Sequence, residues 1–249
     1  QGILKVRKLR TRLCQHPGDK KARLSFAAKH SRKSEEFWKK AIFLDSTTVR
    51  LVSMMRHVQI SSSKSVSHFW TKAGKRAPIK PKALPQNSGK SLTFSVAYDG
   101  SGRCFCHVGE GRFNGDKAKI MYKKMSDFFD TRGKGKQKVL VEDNCRVFKK
   151  KAIAGYKKDL GLVPLEIPRR SPDVQVLDRV VFAGFKASIG RLVSEWHRKN
   201  AKMPTHKEYV RILKGYFRKK KVRDAAARGT AATKEILKKI VASGGEIVA

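Results

Sequence analysis

Acidic residues are scarce: 20 Asp and Glu stand against 58 Lys and Arg in 249 residues, leaving a formal charge of +38. A chain so short of carboxylates repels itself unless a polyanion is at hand, and nucleic acid is the partner that charge of this sign and size predicts. Long apolar runs are also missing. None approaches the roughly 18 residues that span a bilayer, and no lipidation motif is visible, so no membrane partner is expected. Cysteines number only four, Cys14, Cys104, Cys106 and Cys145. They are too scattered for a disulfide scaffold, and the Cys104-Phe105-Cys106-His107 stretch lacks the two-residue spacing and second pair of a zinc site. Free thiols are expected. Disorder, the other reading of high charge, is opposed by 40% hydrophobic residues, including 13 Phe, which suffice for a real core.

The pattern along the chain predicts a folded domain with basic additions. Residues 1–35 read as a basic segment with helical periodicity around Lys20 to His30. The apolar run Ala41-Ile42-Phe43-Leu44 predicts a buried strand ending at Asp45. Residues 61–90, rich in Ser, Lys and Pro, read as a long basic arm. Leu92, Phe94 and Val96 alternate up to Tyr98, Asp99 to Gly102 make a turn, and Cys104 to Val108 return: a hairpin. Helical spacing of Ile120, Met121, Met125, Phe128 and Phe129 predicts a helix over 116–130. Val139 to Val141 form a second buried strand running into Asp143. A basic helix (Phe148 to Leu160), a short strand (Val163 to Ile167), a long helix (Val176 to His197) and two amphipathic helices (206–221 and 233–242) complete the order. Antiparallel strands followed by alternating strand and helix predict an α/β mixed sheet with helices on its faces. The division expected is 1–35, a domain over 36–198 with the 61–90 arm inserted, and a helical extension over 199–249.

Three aspartates carry the chemistry. Asp45 and Asp143 end predicted strands, and Asp178 lies in the first turn of a helix. If the two strands are neighbours, carboxylates meet at one edge of the sheet, where two divalent cations about 4 Å apart activate water and stabilise a leaving oxygen in phosphodiester cleavage. Magnesium suits such ligands. Aspartate in these places also serves as a helix cap or dipole partner, and spacing alone leaves both roles open.

The residues around them resemble those of mariner-type transposases. Val141-Glu142-Asp143-Asn144 is similar to that family's strand ending in Asp-Asn, and 34 residues separate Asp143 from Asp178, as in the family. Ser171-Pro172-Asp173-Val174-Gln175 resembles its Ser-Pro-Asp-Leu-Asn. Trp38 to Asp45 resembles its first-aspartate strand, Phe113-Asn114-Gly115 its Trp-Asn-Gly, and Gly244-Gly245 its C-terminal end. The resemblance covers about residues 20–249 and implies an RNase H-like fold, with Asp45, Asp143 and Asp178 as catalytic, Mg2+-binding residues for DNA cleavage and strand transfer. Two departures matter. Gln175 stands in place of the family's Asn, and Arg179 is placed to pair with Asp178 and compete with magnesium.

The family sets two helix-turn-helix modules before its catalytic domain, whereas this sequence starts almost at that domain. Basic residues also spread well beyond one channel. Lys64, Lys72, Lys75, Arg76, Lys80 and Lys82 lie in the arm, and Lys149, Lys150 and Lys151 follow Asp143. Arg169 and Arg170 precede the Ser-Pro-Asp segment, and Arg218, Lys219, Lys220, Lys221 and Arg223 form a late cluster. All are expected to touch phosphate. The sequence therefore leads to two expectations. One is a transposase-derived structural component of a ribonucleoprotein, most plausibly a mitochondrial ribosome, bound to ribosomal RNA and neighbouring ribosomal proteins and needing no cofactor. The other is a magnesium-dependent transposase acting on DNA, in the nucleus. Neither involves a small-molecule substrate.

Overall fold

The structure, a computed structural model, describes residues 17–50, 91–110, 113–133, 135–143, 151–202 and 204–248. Its centre is a five-stranded mixed sheet in the order β3-β2-β1-β4-β5, built from β1 (Ile42–Arg50), β2 (Ser91–Tyr98), β3 (Cys104–Glu110), β4 (Lys138–Glu142) and β5 (Leu162–Glu166). β1 pairs antiparallel with β2 and parallel with β4, and β5 extends the parallel half. The predicted hairpin is present as β2 and β3. This is the RNase H-like α/β arrangement that the sequence predicted.

Alternation along the central strands sends side chains to two cores. Ile42, Leu44 and Leu140 face α3 (Gly115–Phe129) and α4 (Lys151–Asp159), where they bury Met121, Tyr122, Met125 and Ile153. Phe43 and Val141 face the opposite way, into a larger core. That core is built with α1 (Pro17–His30), α2 (Glu35–Lys40), α5 (Ala183–Asn200), α6 (His206–Arg218), α7 (Lys220–Ala231) and α8 (Thr233–Ala242). Leu213, Phe217, Val222, Ala226 and Leu237 belong to the same cluster as Phe43 and Phe94, so the helices of 199–249 help to close the sheet's face. Tyr98 is tied to them as well, its hydroxyl donating to the Phe217 carbonyl at 2.7 Å.

Three differences from the sequence reading have local causes. β1 does not end at Asp45 but continues to Arg50, because β2 pairs with it over Phe43 to Arg50 while β4 pairs only over Ile42 to Leu44. Asp45 therefore sits within a strand, at the point where one neighbour ends. The helix expected over 206–221 stops at Arg218, where Lys219 is extended, and α7 begins at once. The long helix opens not as an α-helix but as a π-helical turn, Leu177–Phe182, which runs straight into α5. Cys104 and Cys106 are free and pack against the larger core, and burial pushes the Cys106 thiol up to about 12.

The parallel half is pinned from the α3–α4 side. The Tyr122 hydroxyl donates to Glu142 Oε2 at 2.6 Å, and Lys157 Nζ pairs with the other oxygen, all inside the protein. Burial raises the Glu142 pKa, while Lys157 and Tyr122 oppose the rise. Gly161 has φ +69, and a Cβ there would lie 2.0 Å from the Thr131 carbonyl oxygen, so the turn into β5 requires glycine.

Helix α6 starts with a reciprocal cap: Thr205 accepts from the Glu208 amide, and the Glu208 carboxylate accepts from the Thr205 backbone. Thr205→Ala is expected to cost about 1 kcal/mol, read as a fall of roughly 2–4 °C in melting temperature. An unchanged melting temperature would show that the cap contributes nothing.

Candidate active site

The register that sets Leu44 beside Glu142 makes Asp45 and Asp143 the next positions along two adjacent parallel strands, about 4.8 Å apart across the sheet. Both follow residues of the larger core's face, Asp45 standing two after Phe43 and Asp143 two after Val141, so period two aims both carboxylates to that side. The π-helical turn crosses the same face and packs on β1, which brings Asp178 over the pair. π-Turns are uncommon and often mark functional sites.

Electrostatics register the convergence. Burial, then the Asp178 and Asp143 carboxylates, push the Asp45 carboxyl up to about 7; the Ser46 amide, donating to Asp45 Oδ1 at 2.6 Å, and the Lys186 ammonium act against this. Asp178 is raised too, first by burial and then by Asp143, with Lys186 again opposing. Lys186, on the first turn of α5, was not singled out in the sequence. Its only sign there was its place two helical turns after Asp178.

Asp143, Asp178, Arg170 and Gln175 line an open cleft of about 260 Å³, walled by Ile167, Ser171 and Pro172. Gln175 is the residue whose role the sequence missed. It is 3% exposed, its Nε2 donates to the Leu44 carbonyl at 3.1 Å, and its Oε1 is buried without a partner among the described residues. It thus clamps the backbone just before Asp45, in the cleft that Asp143 and Asp178 also line.

Arg179 does not pair with Asp178. One residue on around the π-helical turn, it points to α7 and donates to the carbonyls of Gly229 (2.7 Å) and Asp173 (3.3 Å). Gly229 makes this approach possible, since a Cβ there would lie 2.9 Å from Val176 Cγ1. Asp173, the acid of the Ser-Pro-Asp segment, is also not in the cleft: Arg23 takes both its oxygens, at 2.9 and 2.7 Å.

The expected basic residues divide. Lys64, Lys72, Lys75, Arg76, Lys80, Lys82, Lys149 and Lys150 lie outside the described residues. Lys151 is exposed at the start of α4, Arg169 is exposed beside the cleft, and Arg170 lines it. Arg218 to Lys221 are exposed at the α6–α7 junction, although Lys220 is paired with Asp224 at 2.8 Å. Arg223 is committed to the hairpin turn, where its Nε donates to the Gly102 carbonyl at 2.8 Å.

Three hard carboxylate donors, with the proton affinity of Asp45 and Asp178 raised by burial and by neighbouring carboxylates, have the chemistry magnesium or manganese requires. Among the described residues, however, no group of three or more His, Cys, Asp or Glu side chains is gathered closely enough to hold a metal ion as it stands. The acids share one site electrostatically, and holding a cation would require their side chains to draw together. Among the described residues, no helix is long and apolar enough to cross a membrane.

No protein-family model and no curated protein sequence matches the chain. Solved structures do. The Mos1 transposase paired-end complex with left transposon end matches at 17% identity and TM-score 0.68, over 100% of this chain and 68% of that one. The Mos1 mariner paired end complex with Mn matches at 18% identity and TM-score 0.68, over 99% and 68%. The catalytic domain of Mos1 mariner transposase matches at 15% identity and TM-score 0.64, over 94% and 98%. At these identities the likeness carries the fold.

Proposed function

We propose that this chain, which has the fold of the mariner-type transposase catalytic domain, cleaves and joins DNA phosphodiesters with the help of divalent cations. The observation that carries the reading is the meeting of Asp45, Asp143 and Asp178 on one face of the sheet, with the pKa of Asp45 pushed up to about 7. A magnesium or manganese ion bound by these three would lower the pKa of a coordinated water and stabilise the leaving oxygen. The chain's own residues do the rest. Gln175 holds the Leu44 carbonyl and so the approach to Asp45, Lys186 offsets the acids' charge, and Arg170 on the cleft wall attracts the phosphate. Similar folds are seen with left transposon end and with Mn or Mg, which supports both the substrate class and the cofactor.

Supercoiled plasmid incubated with the chain is expected to be nicked in Mg2+ or Mn2+, and to remain intact in EDTA or with Asp143→Asn. A wild-type chain that nicks with neither metal removes the proposal. Gln175→Leu is expected to lower the rate or the apparent metal affinity about 10–100-fold, as loss of an outer-sphere partner does. Gln175→Asn should retain more, and a metal titration of nicking reads both. Equal activity of Gln175→Leu and wild type would show that the clamp is dispensable.

The charge favours a second reading. At +38, with basic residues far beyond the cleft, the same fold suits a structural RNA-binding component of a large ribonucleoprotein such as a mitochondrial ribosome. That reading expects the chain to copurify with ribosomal RNA at high salt, equally well with Asp143→Asn. Recovery free of RNA would end it.

A further inference from the structure

Helix α6 has two sharply different sides. Tyr209, Leu213, Tyr216 and Phe217 are buried on one. At about 100° per residue, Lys207, Arg211, Lys214 and Arg218 fall within an arc of roughly 60° on the other. These four, with Val210 and Gly215, line a shallow groove of about 350 Å³. The floor is open at Gly215, where a Cβ would meet nothing within 4 Å.

What sets this face apart is the absence of acids. Elsewhere the scarce carboxylates are spent one turn from a cation: Glu35–Lys39, Glu36–Lys40, Arg191–Glu195 and Lys220–Asp224 are all paired on their helices. On α6, Glu208 is taken by the Thr205 cap and His206 contacts Glu110. None of the four cations of the stripe makes an ion pair among the described residues. Like charges one turn apart destabilise a helix. Among the described residues only the Glu208 carboxylate, already taken by the cap, acts on this stripe, through Arg211, so a ligand rich in negative charge is its natural counterpart.

The stripe is also well placed. α6 runs back along α5, with the Phe217 ring 4.5 Å from Phe185 and 6.4 Å from Phe182, the residue that closes the Asp178 turn. Its Arg218 end therefore lies toward the candidate active site, and Lys207 lies about 16 Å further along the helix axis. That length matches about five nucleotides of one strand at 3.4 Å each.

We propose that the outer face of α6 is a second nucleic-acid site, which holds the phosphate backbone of a DNA duplex where it extends beyond the catalytic cleft. The proposal rests on the reading of the chain as a DNA-cleaving protein and is tested apart from cleavage. Affinity for a labelled DNA duplex is measured in EDTA across a salt series by fluorescence anisotropy. Lys207→Gln/Arg211→Gln/Lys214→Gln, with Lys207 and Arg211 exposed and Lys214 half-buried, is expected to flatten the slope of log K against log salt by about 2–3. The charge-matched control Lys21→Gln/Lys123→Gln/Lys239→Gln, on other faces, should change it by less than about 1. Melting temperatures of both variants confirm the fold. Equal slopes for variant and control would overturn the proposal, as would a loss confined to duplex RNA. A flattened slope together with a wild-type chain that never nicks plasmid would keep this surface and remove the catalytic reading instead.

Discussion

Asp45→Asn is expected to abolish metal-dependent cleavage and, in the same molecule, to raise the melting temperature of the metal-free protein. The first effect follows from removing one of three ligands. Several kcal/mol of transition-state stabilisation come from the cation, so a loss of about a thousandfold or more is expected. The second follows from what Asp45 endures without one. Its carboxyl is moved from 3.8 up to about 7, chiefly by burial and then by Asp178 and Asp143. Between those two pH values the folded chain keeps a proton that the unfolded chain releases. Stability therefore falls as pH rises through that window and levels off above about 7. At about 1.4 kcal/mol per pKa unit, the ionised side chain costs on the order of 4 kcal/mol at pH 8. Asparagine removes that cost and still accepts from the Ser46 amide. A gain of several degrees is expected at pH 8 in EDTA, shrinking toward zero near pH 4. Added magnesium should raise the melting temperature of the wild type and leave that of the variant. A variant that melts lower at pH 8, or still cleaves, would show that Asp45 is not part of a repelling, cation-seeking cluster.

Much of this site was legible because it is local in the sequence. Strand periodicity placed Asp143 directly after β4, and helix periodicity placed Asp178 in a first turn. Both assignments rest on neighbours within a few residues. Asp45 was found for a reason only partly right. The apolar run ends there, but the strand does not, since Thr47 and Val49 are held by pairing with Phe94 and Leu92 of β2, and partners 47 and 43 residues away leave no mark on a short window. Arg179 was misjudged for a related cause. Adjacency to Asp178 in sequence says nothing of direction, and its partner on α7 lies 50 residues downstream. Gln175 was visible only as a substitution in a motif, because its bond to Leu44 spans 131 residues. The α7 helix was missed because Ala and Arg dominate Lys220–Ala231, and small residues that allow close packing on the π-helical turn leave a weak apolar stripe. Position along the chain thus yields the acids, while the groups that orient them come from contacts that only the fold creates.

Arg23→Met should be the most damaging single change away from the acids. The guanidinium is 1% exposed and all five of its N–H groups are used. Nε donates to the Gly245 carbonyl at 2.9 Å, and two bonds go to Asp173, at 2.9 and 2.7 Å. The others reach the Glu246 carbonyl at 2.9 Å and the Arg170 carbonyl at 3.3 Å. Asp173 in turn accepts from the Val248 amide at 3.0 Å. One planar fork thus joins α1, the chain's last residues and the Arg170-Ser171-Pro172 wall of the cleft, which explains why the Ser-Pro-Asp segment needs an acid that never faces the site. Methionine fills much of the volume but leaves the Asp173 carboxylate buried without its counter-charge, which costs about 3–5 kcal/mol, or roughly 6–20 °C in melting temperature. Arg23→Lys keeps the charge and loses the fork, so it should fall between the two. Arg23→Met/Asp173→Leu removes both charges together and is expected to recover a large part of the loss, since the penalty belongs to the orphaned partner more than to the absent bond. Thermal melts of the three variants decide it. A double variant no more stable than Arg23→Met would place the cost in lost packing and carbonyl bonds instead of the stranded carboxylate.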